Sequence, residues 1–396
     1  MHHMKFRSRR PLAAGFSLVE LLISMTIMVT IMGATMTAML HATRANETAL
    51  LVTAMNSNLR TGMDLILRDM LQVGSGLPTG HFILIPSGVG SVQINMPGPP
   101  GTTTLSAVGD TDLNAINFGT GGGPTVAGVA TDKITTLAAD STFNDIGLTA
   151  RAADGTNITV NAAVNIGTGP DRVVPGQLIM LEKGSYAILL QVTSIDSAAH
   201  KIYFAVNDSL KLNQHTATEG SMGKPCVAGD CTVATGLTFF APSPDIALPS
   251  PQTVPPTPFL NTTATRVRMI SYYIDNTDTL HPRLVRRINN GSPTVFDNTS
   301  GTTVAFDVDK LQISYDLADG NTNPSYVTFN AADIATPGTG ACAPSPCSVN
   351  QVRKINVTLG TRSRKPFSVT GQYFHNVLTT QISLRGMAFV NEYSGP

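Results

Sequence analysis

Tryptophan is absent from this 396-residue chain, only 13% of its residues are charged, and cysteine occurs four times. The 26 basic side chains are matched by 26 acidic ones, so composition demands no polyanionic partner, and no nucleic acid is expected. Catalytic signatures are missing too. The eight histidines are scattered, with no His-Glu-x-x-His, Gly-x-Ser-x-Gly or Cys-His arrangement, and neither enzymatic activity nor a cofactor is expected. Residues 79–131 contain only Asp110 and Asp112 as charges and are dense in Gly, Pro and Thr. The cluster Gly119-Thr120-Gly121-Gly122-Gly123 is no nucleotide loop, because Pro124 follows and no helix begins there to receive a phosphate. Such texture belongs to a loop-rich, β-rich extracellular protein.

What the chain does have is a 25-residue apolar run from Phe16 to Leu40, long enough to span a bilayer as a helix, with one acid, Glu20, inside it. An intramembrane carboxylate costs about 2.5–3.5 kcal/mol at the helix centre and is a functional signal by default. Reaching the headgroups is the bland alternative, since Glu20 lies only four residues inside the boundary. The leader argues against it. Met4 to Gly15 carries four positive side chains, Lys5, Arg7, Arg9 and Arg10, and no acid, so it stays cytoplasmic. A secretory signal would be cut after its apolar region, yet here the small residues Ala13, Ala14 and Gly15 precede it.

This arrangement resembles the class III signal of type IV prepilins. The resemblance implies cleavage by a prepilin peptidase between Gly15 and Phe16, methylation of the new amino terminus at Phe16, and an assembly role for Glu20, the fifth mature residue. In the filament that acid would pair with the terminal amine of a neighbouring subunit inside an apolar bundle. Without the leader, 22 basic residues face 26 acids, a net charge of −4.

No proline occurs between Leu40 and Pro78, and Leu51, Met55, Leu59, Met63, Ile66, Met70 and Val73 recur at three- and four-residue steps. The spacing predicts one helix from Phe16 to about Val73, roughly 87 Å at 1.5 Å per residue. Its first half, 16–40, sits in membrane or in a bundle of like helices; its second, 41–78, covers a globular domain. Arg60, Asp64 and Arg68 lie four apart and can pair along another face. Gly33 with Ala34, Thr37 and Ala38 is the weak point, where local melting during assembly is expected. Gly74-Ser75-Gly76-Leu77-Pro78 ends the helix.

Beyond it the sequence predicts strands at 177–181, 186–193 and 201–206, arranged as a meander, then a Pro-rich linker at 242–264. Further strands are predicted at 267–274, 283–288, 304–315, 352–359 and 381–390. Cys226, Cys231, Cys342 and Cys347 fall as two Cys-x4-Cys pairs in loops, and an even count in an exported chain reads as disulfides. Two local bridges are the simplest of the three pairings; zinc is disfavoured by that spacing and by the lack of neighbouring histidine. The loop containing Asp316, Asp319, Asn321 and Asn323 offers oxygen ligands of the kind calcium takes. It lacks EF-hand spacing and a terminal Glu, and reads first as an Asp-Gly hairpin turn. Arg283 to Arg287 forms a basic strand, read as a solvated face.

Several blocks are similar to the carboxyl-terminal part of PilW-type minor pilins: Arg266 to Ile274, Leu284 to Arg287, Val308 to Tyr315 and Thr379 to Arg385. The implied fold is α+β and pilin-like, a long amino-terminal helix on antiparallel sheet, enlarged by a β-rich insertion over 79–241, with a carboxyl-terminal β-rich pilin domain over 265–396 and the leader at 1–15. The implied role is a minor pilus subunit that primes or caps the filament. Minor pseudopilin of a type II secretion system and tip adhesin are the alternatives. Partners would be other pilins, the prepilin peptidase and the inner-membrane assembly platform. The chain would sit as a single-pass inner-membrane protein with a periplasmic head before assembly, and in the pilus afterwards.

Overall fold

The computed structural model describes residues 17–77, 82–84, 94–98, 112–113, 115–119, 122–152, 155–169, 171–183, 186–206, 208–213, 262–289, 302–317, 352–367 and 370–386. Gly15, Phe16, the four cysteines and Asp319, Asn321 and Asn323 of the calcium-like loop lie outside the described residues.

Helix α1 (Leu18–Met70) is 53 residues long, about 80 Å at 1.5 Å per residue. Its two halves live in different surroundings. From Leu18 to Leu40 the large apolar side chains stand exposed on every side, whereas Met55, Leu59, Met63, Ile66 and Met70 form a buried stripe continued by Val73. Leu51, the first residue of the predicted stripe, is only half-buried. The helix is unbroken through Gly33, and the Thr37 hydroxyl bonds back to the Gly33 carbonyl at 2.7 Å. It ends at Met70, three residues before the predicted Val73, with Leu71 as its C-cap; the turns that follow reach Gly74 and Gly76, whose left-handed φ values of 74° and 67° a side chain would disfavour.

The strands follow in order as β1 (Phe82–Leu84), β2 (Asp112–Leu113), β3 (Ile116–Gly119), β4 (Thr125–Val126), β5 (Val129–Ala130), β6 (Lys133–Ala139), β7 (Ile146–Arg151), β8 (Asn157–Val160), β9 (Leu178–Lys183), β10 (Tyr186–Gln191), β11 (Ser194–Asp196), β12 (Lys201–Tyr203), β13 (Thr263–Asp275), β14 (Arg283–Ile288), β15 (Thr302–Phe306), β16 (Val308–Leu317), β17 (Val352–Arg362) and β18 (His375–Ser383). Thirteen of them join one sheet organised by β13. At 13 residues β13 is long enough to hold two antiparallel partners on each side: β7 and β6 along one, β9 and β14 along the other. Strands from 79–241 and the strand that opens the carboxyl-terminal segment therefore share one hydrogen-bonded sheet. The fold is α+β, a long amino-terminal helix packed on antiparallel sheet.

A second sheet, β16-β17-β18, also packs on α1. Asp132 ties the two sheets together: its N–H donates to the Leu311 carbonyl at 2.9 Å, and its carboxylate accepts the Ile313 N–H at 2.8 Å. The principal core fills the space between helix and sheets, with Ile66, Met70, Tyr272, Leu284, Leu311, Val357 and Leu359 among its members. A satellite core of Phe143, Ile158, Val160, Ile179, Ile188 and Phe204 sits under the smaller β7-β8-β12-β11 arm. Gly386 passes so close to the helix exit that an added Cβ would lie 2.1 Å from the Val73 carbonyl oxygen.

Three strand expectations change. The predicted meander holds for its first pair, β9 and β10, but β12 joins β8 and β11. The free side of β10 is taken by β1 in parallel pairing, which leaves the next hairpin to fold against β8. The strand predicted over 304–315 is broken at Asp307, whose φ of 56° turns the chain from one sheet into the other. The strand predicted over 381–390 begins earlier, at His375, because this polar edge alternates exposed and half-buried residues and carries a weak apolar signal.

The junction of the arm with β13 holds a titrating group. Burial, reinforced by the nearby Asp145 carboxylate and opposed by a Thr265 hydrogen bond, pushes Glu182 up from 4.5 to about 7. Its folded pKa lies above its unfolded one, so folding takes up a proton between them. Its contribution is most favourable below about pH 4.5 and fades as pH rises through 7. Glu182→Gln should flatten that slope, and thermal melts at pH 5 and pH 8 measure it. A variant whose loss of stability between the two matches the parent would show that Glu182 is not responsible.

Candidate assembly site at the helix amino terminus

Two residues build the start of α1. Ser17, at φ −69° and ψ 141°, is the N-cap, and its hydroxyl accepts the Val19 N–H at 3.3 Å. Glu20, three residues on, turns its carboxylate back to accept the Ser17 N–H at 3.1 Å. Together they form a capping box, and the carboxylate also sits at the positive end of the helix dipole. Sequence reasoning assigned Glu20 to pairing between subunits; the structure adds a local task, holding the first turn together. Gly15 and Phe16 precede this cap and are outside the described residues.

Around that acid the apolar segment is freed of other polar demands. Ser24, Thr26, Thr30, Thr35 and Thr37 are the hydroxyl side chains between Leu18 and Leu40, and each bonds a carbonyl three or four residues back, at 2.7–3.1 Å. A hydroxyl satisfied by its own helix crosses hydrocarbon without an unpaired donor. By length and composition the helix is able to cross a membrane, and the window that does so buries none of its residues against the head. Glu20 is the one ionisable group in that stretch.

At the other end of α1 the charge that matters is one the sequence reading passed over. Arg60, Asp64 and Arg68, expected to pair along the helix, are not buried in the core. Asp69 is buried, and it receives Arg286 through Nε at 2.5 Å and Nη2 at 3.1 Å, together with the Tyr272 hydroxyl at 2.5 Å. Burial lowers the Arg286 pKa, but the Asp69 hydrogen bonds and charge outweigh it and hold the guanidinium above its usual value. Burial first, and then the Asp69 charge, raise the Tyr272 phenol. An acid beside Met70 on the apolar stripe was the available signal.

The basic strand likewise binds protein partners. Arg283 grips Asp275 at 2.9 and 2.7 Å, and Arg287 donates to the Gly98 carbonyl at 2.7 Å. The sequence left these residues as a solvated face; the sheet instead turns them toward protein partners, one of them almost 190 residues away in the chain.

Over residues 10–36 the chain matches the family model described as the prokaryotic N-terminal methylation motif. No curated protein and no solved structure matches it. The matched segment covers Arg10 to Gly15, the capping box and most of the bare apolar helix, and these features support a type IV pilin-like prepilin, processed by a prepilin peptidase and assembled with other pilins.

Proposed function

We propose that this chain is a minor pilin that helps prime or cap a type IV pilus after cleavage between Gly15 and Phe16 and methylation of Phe16. The observation that carries this reading is the bare apolar half of α1, capped by Ser17 and Glu20 and continuous with a half buried in a large head. Exposed apolar surface of that extent requires a covering. Lipid supplies it before assembly, with the head in the periplasm, and the helices of neighbouring subunits supply it in the filament. A head of this size suits a subunit present in few copies, since bulky heads are hard to stack at the spacing that helix bundling imposes.

Mass spectrometry of the mature protein tests the processing step. The expected amino terminus is N-methylated Phe16; an unmethylated terminus, or one near Thr43, overturns the proposal. A deletion strain separates the pilus from a type II secretion system: loss of surface pili is expected, and normal pili with abolished protein secretion would make the chain a minor pseudopilin.

A further inference from the structure

Close to where α1 enters the head, a cleft of about 330 Å³ opens between the β13–β14 turn, the β15–β16 junction and the residues after β17. Its volume is at the small end of the range of about 300–1,000 Å³ that ligand pockets span. Phe306 forms one wall and leaves 55% of its surface exposed. Its main chain is anchored nonetheless, since Asn58 Nδ2 donates to the Phe306 carbonyl at 3.3 Å.

The polar lining is balanced and mostly prearranged. Two carboxylates, Asp278 and Asp307, face two guanidinium groups, Arg283 and Arg364. Asp278 Oδ1 accepts the N–H groups of Leu280 and His281 at 3.0 and 3.3 Å, and His281 Nδ1 lies 2.7 Å from Asp307 Oδ1. Arg283 is fixed by Asp275. Arg364 is exposed, with no hydrogen-bond or ion-pair partner among the described residues.

We propose that this cleft binds a neutral saccharide residue, with the Phe306 ring against the C–H face of the sugar and Arg364 and the Asp278 carboxylate hydrogen-bonding its hydroxyls. Sugar hydroxyls need donors and acceptors side by side, and a sugar ring needs a flat, exposed aromatic surface; the cleft supplies both. Asp275 already holds Arg283 and His281 lies against Asp307, so Asp278 and Arg364 remain as one group of each sign, and an uncharged polar ligand is the best electrostatic match. The proposal does not rest on the pilus reading, and it places ligand binding in the carboxyl-terminal segment instead of the 79–241 insertion.

The test uses the whole chain in phosphatidylcholine nanodiscs, free of glycosidic detergent, with saturation-transfer NMR of glucose, galactose, mannose and N-acetylglucosamine in turn. At least one should receive saturation at its ring C–H protons. Binding should weaken about tenfold in Phe306→Ala, as the loss of one stacking contact implies, persist in Phe306→Tyr, and weaken in Arg364→Gln, a change at an exposed residue that leaves the melting temperature unaltered. No transfer from any of the four sugars, or transfer unchanged in Phe306→Ala, would overturn the proposal. None of these results would alter the mass of the mature amino terminus, so the two readings fail separately.

Discussion

Asp69→Ala should destabilise the head by about 3–5 kcal/mol, the usual loss when one member of a buried ion pair is removed and the other is stranded. The Arg286 and Asp69 side chains are only 17% and 6% exposed, and the fork between them is joined by the Tyr272 hydroxyl. With Asp69 gone, a buried guanidinium keeps its charge and loses both of its carboxylate bonds. Denaturant unfolding of the full chain measures the loss, and a change below about 1 kcal/mol, the range of ordinary surface substitutions, would show that the cluster does not lock helix to sheet. The double variant Asp69→Leu with Arg286→Met should recover most of the stability, because it removes both charges together. Tyr272 then keeps its second partner, the Leu65 carbonyl at 3.2 Å.

Glu20→Ala should leave cleavage and methylation intact and abolish incorporation into filaments, read by mass spectrometry and by immunolabelling of sheared pili. Two physical accounts of such a defect exist. The carboxylate closes the capping box on Ser17, and under the proposed cleavage its charge is available to the amine created at Phe16. Glu20→Gln separates the accounts, because glutamine also serves the capping box but carries no charge. If charge pairing between subunits governs assembly, the glutamine variant fails as the alanine variant does. Assembly restored by glutamine would eliminate the pairing account and leave helix capping as the role of Glu20.

Both predictions bear on how much was legible in sequence. Glu20 stood out because one acid in a 25-residue apolar run is a local contradiction, visible without any tertiary knowledge. Asp69 looked like any helical acid. Its meaning depends on Tyr272 and Arg286, more than 200 residues further along, and on a sheet that aims both at one turn of α1. The Phe306 cleft has the same character: three separate segments meet there, and none carries a signature by itself.

The fold divides in the same way. Helical periodicity, the absence of proline and the Gly74–Gly76 exit act over a few residues, so sequence alone determined that one long helix would run through the apolar segment into the head and end just before Gly74. The strands of high β propensity, β9, β10, β13, β14 and β17, were legible for the same reason. Pairing was not. Only the tertiary structure decided that β13 would serve two partners on each side, that β12 would leave its expected meander, and that Asp307 would send β15 and β16 into different sheets. Hydrogen-bond pairing between strands depends on which edges remain free after the others have formed, and that competition is a property of the whole chain. The amino terminus is local in its chemistry, and therefore readable; the head that it carries is settled by contacts between residues far apart in sequence.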